Sequence, residues 1–407
     1  MATFKAAWIL PVSDPPIRDG WVAIDGGRIA ATGRTAAVGG PAAAGAIDLG
    51  PVAVMPALVN AHTHLELSFL HERIPPGESF HQWVQSLLAL RRQYPDPRDP
   101  GILDAARQAI RQARAAGTGL FGDVGNSLVT VPLLREAGVA AQVFYELIGF
   151  NVADPGRKVR EARASVESAG AGDDVRISLA PHAPYSVSPA LFGAIRHDLD
   201  SQRIGISSVH LGEAPEEVEL LRRGTGVVRD MLERLGVWTE TWQAPGVSPV
   251  EYLTGIGFLD SRVLVVHGVQ FDGDDLRRLR AMGVTLVSCP RSNRYVGVGS
   301  PPLEVFYAMD VSVAFGTDSL ASVADLNMFA ELAEARRIAP RVPPRVLLRS
   351  ATLTAARALA FDDQFGSIEP GKRAALLAVR VPAGVTDVEE YLVSGAVEPE
   401  AITWVAQ

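Results

Sequence analysis

The sequence predicts a (β/α)8 barrel carrying a small β-sandwich built from both chain ends, and three observations predict it. Eight short apolar runs alternate with helix-like segments along the middle of the chain. The runs are almost continuously hydrophobic, as strands buried on both faces of a parallel sheet are. Histidines and carboxylates gather where those runs end, and in a closed barrel such ends meet around one mouth.

The chain ends come first. "WVAIDGGRIAATG" (21–33) alternates around Asp25-Gly26-Gly27, a hairpin signal, and "GSIEPGKRAALLAVRVP" (366–382) pairs a Gly/Pro turn with a short apolar strand. Neither end is large enough to fold alone. Residues 1–55 and 365–407 are therefore expected to form one composite β-sandwich, leaving 56–364 as the barrel.

The eight barrel runs are "VMPALVNAHTH" (54–64), "GTGLFGDVGN" (117–126), "AAQVFYELIG" (140–149), "VRISLAPHAP" (175–184), "GISSVHLGE" (205–213), "RVLVVHGVQ" (262–270), "VTLVSCPRSN" (284–293) and "VSVAFGTDS" (311–319). Between them, Asp99-Pro100, Ser188-Pro189 and Ser248-Pro249 each place a capping residue before a proline at the first helical position. "FHQWVQSLLALRR" (80–92) has Phe80, Trp83, Val84, Leu87 and Leu88 at helical spacing. A doubly wound open sheet fits the same alternation, but it would spread the strand ends along a line.

Composition narrows the function. Of 407 residues, 47% are hydrophobic and 21% charged, and the formal net charge is −8 without a long basic run. Nucleic-acid binding needs clustered Lys and Arg and is not expected. No stretch reaches the ~18 apolar residues of a spanning helix. The start, "MATFKAAWILPVSDPP", lacks a convincing signal-peptide core, and the single cysteine, Cys289, excludes an intrachain disulfide. A cytoplasmic protein acting on a small molecule, without nucleic-acid or membrane partners, is the expectation, and a homodimer is compatible with it.

The run ends carry the chemistry. His62 and His64 lie two residues apart, on one face of a strand, so both imidazoles can reach one ion. His182 ends the fourth run, His210 and Glu213 the fifth, His267 the sixth and Asp318 the eighth; five of the chain's eight histidines fall at such ends. Imidazoles with a carboxylate suit zinc or another first-row divalent ion such as Fe2+. The only lysines are Lys5, Lys158 and Lys372, and none ends a run, so a lysine-bridged pair of metals is not expected and one ion is. Glu213, three residues past His210, is placed to shuttle protons, whereas Glu216 and Glu217 read as acidic residues of a helix start. Each assignment has a structural rival: His267 as a hydrogen-bonded core histidine, Asp318 as a helix cap, the whole as a metal-binding barrel without catalysis.

"VNAHTHLELS", "APHAPYSVS", "VHLGE", "VVHGV", "CPRSN" and "FGTDSLAS" together resemble the amidohydrolase superfamily, in its nucleoside- and base-deaminating branch. The resemblance spans nearly the whole chain. It implies metal ligands at His62, His64, His210 and Asp318, a proton-shuttling glutamate at Glu213, a water-orienting histidine at His267 and a substrate-contacting histidine at His182. One departure is Ala375 in "GKRAALL", where many relatives carry an aspartate. For the substrate, Trp83 and the phenylalanines after the first run can cover a ring. Glu66 reads equally as a sugar contact or a plain loop carboxylate, and Arg291 and Ser292 equally as substrate contacts or turn residues. The combination "NAHTHLELS…IPPG…W…RR" with "CPRSN" resembles the aminodeoxyfutalosine deaminases, whose substrate is an adenine nucleoside with a carboxyphenyl tail. Adenosine/S-adenosylhomocysteine deaminase, guanine deaminase and a triazine-type chlorohydrolase are the alternatives.

Overall fold

The computed structural model describes residues 1–35, 45–77, 79–170, 172–202 and 205–405. The N-terminal strands are β1 (Ala2–Ile9), β2 (Ile17–Asp25), β3 (Arg28–Arg34), β4 (Ile47–Asp48) and β5 (Val52–Pro56). The barrel strands follow as β6 (Leu58–Thr63), β7 (Thr118–Gly125), β8 (Ala140–Leu147), β9 (Val175–Pro181), β10 (Ser207–Leu211), β11 (Val263–His267), β12 (Thr285–Ser288) and β13 (Ser312–Phe315). The C-terminal strands are β14 (Leu376–Arg380) and β15 (Ile402–Trp404).

Both ends of the chain share one seven-stranded mixed sheet in the order β15-β14-β5-β1-β2-β3, with β4 pairing β1. The β2–β3 hairpin turns at Gly26 and Gly27, whose φ values of 54° and 74° are the left-handed pair that a two-residue type I′ turn requires. Strand β14 pairs antiparallel with β5, tying the two ends together. After β5, only Ala57 separates this sheet from β6, so the terminal sheet is anchored directly at the foot of the barrel.

The barrel is two parallel four-stranded arcs, β6-β7-β8-β9 and β10-β11-β12-β13. Hydrogen bonds close the two seams between them. At one seam the His210 N–H donates to His182 O (2.9 Å) and Ser207 Oγ to Leu179 O (2.9 Å). At the other the Asp318 N–H donates to His62 O (3.0 Å), and Asn60 and Thr317 exchange two bonds (2.8 and 3.1 Å). Gly316 makes the second seam possible, because a Cβ there would lie 2.6 Å from His62 O. Both seams thus run through residues next to the expected ligands.

The three expected caps form. Asp99, Ser188 and Ser248 accept the N–H of Gly101, Leu191 and Glu251, each ahead of a proline that opens its helix. The helix Phe80–Arg91 buries Phe80 and Trp83. No helix among the described residues is long and apolar enough to cross a membrane.

Candidate active site

The C-terminal ends of the strands converge as the sequence predicts. His62, His64 and His210 offer ring nitrogens within 4.8 Å of one another, and Glu213, His267 and Asp318 form a second such group. Asp318 Oδ1 lies 3.9 Å from His62 Nε2 and 3.6 Å from His64 Nε2, which joins the two groups.

Two backbone departures aim these side chains. Val266 packs into the barrel interior, so regular strand alternation would send His267 to the helical side. His267 has φ 78° and Asp318 φ 62°, left-handed values that non-glycine residues adopt at a cost of roughly 1–3 kcal/mol. At β6, the pairing with β7 shifts register between Asn60 and Thr63, around the histidine pair. Two of the seven non-glycine residues with positive φ, among the described residues, are thus His267 and Asp318.

The donor set fits a divalent cation. His64 Nε2 and His210 Nε2 face each other at 3.3 Å. Ligand atoms around a tetrahedral ion at ~2.1 Å stand roughly 3.4 Å apart. His62 is fully buried, and neither of its ring nitrogens has a hydrogen-bond partner. An orphaned buried imidazole is costly unless a ligand completes it. Burial, more than any neighbour, holds the imidazoles neutral: His64 is pushed down to about 3, His182 and His210 to about 4, and His62 and His267 well below the usual range. Neutral imidazole is the form that binds metal.

Each reactive group is held from behind. Asp318 accepts from Ser292 Oγ at Oδ2 (2.6 Å) and from the Ser319 N–H at Oδ1 (2.8 Å), bonds that favour its anion against the burial that raises its pKa. The Asn293 side-chain amide lies 3.0 Å from His267 Nδ1, which leaves Nε2 facing Glu213 Oε1 at 3.6 Å. Burial, and then the nearby carboxylates of Asp318 and Glu217, push Glu213 well above the ordinary carboxyl range. Glu217 stands in the first turn of the helix Pro215–Arg223, as the sequence predicts. It is buried and accepts the N–H groups of Gly212 (3.1 Å) and Glu213 (3.3 Å), which fixes the turn that presents Glu213.

A cavity of about 380 Å³ opens over this centre. His182 lines it, its Nδ1 2.6 Å from Ser186 Oγ. Trp83 also lines it, with its indole N–H donated to Ala321 O. Glu66 lines it, but its oxygens are taken: Oε2 by the Ser127 N–H and hydroxyl (3.0 and 2.7 Å), Oε1 by Arg91 (3.4 Å). Arg291 and Ser292 are not at the cavity. The Arg291 guanidinium turns to Asp325 and Glu331, and Ser292 serves Asp318. The arginine that does line it is Arg91, from the helix after β6.

Sequence profiles and relatives agree with this geometry. The profile of the amidohydrolase family matches residues 53–397, which runs from β5 to beyond β14. The chain belongs to the amidohydrolase family. Within it, the chain is 30% identical over 408 residues to a 5-methylthioadenosine/S-adenosylhomocysteine deaminase of Moorella thermoacetica, covering 96% of this chain and 89% of that one. It is 29% identical to an aminodeoxyfutalosine deaminase of Deinococcus radiodurans over 73% of this chain and 71% of the relative. Among solved structures, an adenosine deaminase of Xanthomonas campestris with bound zinc superposes with TM-score 0.83 and 26% identity, over 99% of this chain and 90% of the other. The fold is also that of the Helicobacter pylori aminofutalosine deaminase in complex with methylthio-coformycin (TM-score 0.85, 24% identity, 97% and 95% covered). For this amidohydrolase, the barrel and terminal β domain are thus the family's architecture.

Proposed function

We propose that this amidohydrolase is a hydrolytic deaminase of adenine nucleosides carrying a 5′ substituent, with aminodeoxyfutalosine as the first candidate. One observation carries the reading: the cavity that holds the polar centre is also lined by a set of apolar side chains, its apolar arm. Phe80, Trp83, Val84, Leu87 and Met231 line that arm and belong to one hydrophobic cluster, and the half-exposed Ile148 and Leu235 line the cavity with them. A purine amino group at the polar centre leaves the arm for an aromatic or thioether tail, and a terminal carboxylate can stay hydrated at the mouth. Guanine has no group to fill the arm. The long match to the methylthioadenosine/adenosylhomocysteine deaminase makes 5′-thio-substituted adenosines the second candidates.

His62, His64, His210 and Asp318 would hold the ion, with zinc favoured by the imidazole–carboxylate set. When bound, a divalent ion supplies Lewis acidity that brings the pKa of water towards ~7. Glu213, whose carboxyl burial pushes well above its ordinary range, donates a proton to the ring nitrogen beside the amino-bearing carbon. His267, neutral and fixed by Asn293, orients the attacking water, and Asp318 accepts a proton from it. The C–O bond forms as the ring nitrogen gains its proton. The proton held by Asp318 passes to the amino group, the C–N bond breaks and ammonia leaves, while the added hydroxyl gives its proton back to Glu213 as the C=O forms. One water is consumed for each C–NH2 converted to C=O.

The test is ammonia release by the metal-loaded protein from adenosine, 5′-methylthioadenosine, S-adenosylhomocysteine, aminodeoxyfutalosine and guanine. A 5′-substituted nucleoside is expected to give the highest kcat/KM. Guanine as best substrate would overturn the nucleoside reading, and adenosine equal to every 5′-substituted nucleoside would overturn the role of the arm.

A further inference from the structure

One wall of the cavity is a chain of polar side chains from four different segments. Glu66, from the turn after β6, meets Arg91 at 3.4 Å, and Arg91 donates to Asn126 Oδ1 (2.8 Å). Asn126, just past β7, donates from Nδ2 to Glu146 Oε2 (2.8 Å), and Glu146 stands near the end of β8. Along this chain every carboxylate oxygen but one has a hydrogen-bond donor. The exception is Glu146 Oε1, which is buried, unpartnered and on a residue that lines the cavity.

His210 does not satisfy that oxygen. Its Nδ1 lies 3.4 Å from Glu146 Oε1 but 3.0 Å from His182 O, and no hydrogen bond to the carboxylate forms. A buried acceptor left without a donor is costly, and the cost is relieved when a bound ligand supplies one. Glu66 is the residue for which the sequence suggested a sugar contact, and its oxygens are already engaged by Ser127 and Arg91.

The chemistry of the substrate class identifies the missing donor. This step rests on the adenine-nucleoside reading above. Adenine attached to a sugar carries no N–H except in the amino group that leaves. When the 5′ position is substituted, the remaining donors of the nucleoside core are the 2′ and 3′ hydroxyls. We infer that Glu146 is a specificity-determining residue that accepts a hydrogen bond from a ribose hydroxyl, with Asn126 and Arg91 holding its carboxylate in place. The site then recognises a riboside by a fixed buried acceptor, which penalises any analogue lacking the hydroxyl.

The experiment compares kcat/KM for adenosine, 2′-deoxyadenosine and 3′-deoxyadenosine in the metal-loaded wild type and in Glu146→Gln and Glu146→Ala, with metal content measured on each. Loss of a hydrogen bond to a charged acceptor predicts that the wild type prefers adenosine over at least one deoxy analogue by about ten- to a hundredfold. In both variants metal content stays at the wild-type level; the preference falls towards one in Glu146→Ala and falls part-way in Glu146→Gln, whose amide keeps an acceptor without the charge. A preference that survives in metal-replete Glu146→Ala, or a wild type indifferent to both hydroxyls, overturns the inference. Loss of metal from Glu146→Gln also overturns it, by making the residue a support for His210. If the wild type turns over guanine but none of the three nucleosides, the underlying reading fails instead.

Discussion

At the scale of the residue, burial does most of the chemistry and short hydrogen bonds aim it. Ser292→Ala removes the hydroxyl that holds Asp318 Oδ2. It is expected to weaken metal binding about tenfold, as loss of an outer partner of a ligand does, checked by metal titration of the chelated protein. Asn293→Ala frees the His267 ring. It should lower kcat roughly ten- to a hundredfold with metal content unchanged, checked by single-turnover kinetics alongside metal analysis; lost metal would mean that Asn293 supports the fold instead. The convergence of His62, His64, His210, His267 and Asp318 was legible in the sequence because each stands at or near the end of an apolar run. Glu146 was not, since a lone glutamate in "FYELIG" looks like any polar residue closing a strand, and only its unpartnered oxygen marks it. Arg291 and Arg91 show the same limit. Both lie within a few residues of a strand end or its following helix, and which one faces the cavity depends on Asp325 and Glu331 capturing the first.

At the scale of the element, turns and seams set where the reactive groups stand. Gly316→Ala would drive a Cβ to 2.6 Å from His62 O, against backbone that cannot swing away. The expected result is a loss of several kcal/mol on the order of other overpacking changes, together with weakened metal binding, read by chemical unfolding and metal titration. Glu217 gives a pH dependence of definite sign. Burial raises its carboxyl to about 8, against the backbone N–H groups of Gly212 and Glu213 that favour its anion. Below the unfolded pKa of about 4.5 both states carry the proton; above it the unfolded state ionises first, so stability is lost as pH rises towards 8. Glu217→Gln cannot ionise and should gain on the wild type between pH 5 and pH 8, by about 1–4 kcal/mol in urea unfolding at ~1.4 kcal/mol per pH unit. A constant gap across that range would show that Glu217 is already ionised in the folded protein. The helix Phe80–Arg91 was readable from its spacing, and the Asp-Pro and Ser-Pro starts from their capping chemistry. The inward turn of Glu217 was not, because a first-turn glutamate has the same local signature whether it points to water or back into a loop.

At the scale of the molecule, the site exists because two four-stranded arcs close into one cylinder. Each arc alone holds only part of the constellation: His62, His64 and His182 belong to one, His210, Glu213, His267 and Asp318 to the other. The closed barrel was legible from eight buried runs whose ends carry histidines and carboxylates, whereas the seam bonds of Asn60 with Thr317 depend on pairing across 257 residues and leave no local trace. An ion held between the arcs would bind only the folded state, so zinc in excess should raise the Tm of the chelated protein, by mass action. In the proposed function, these side chains from both arcs surround one ion, with Glu213 beside it as a proton carrier and not as a ligand. Glu213→Gln tests it most directly: metal content should match the wild type while ammonia release falls by on the order of a thousandfold or more, and either metal loss in step with activity or a variant that still turns over at the wild-type rate would contradict it.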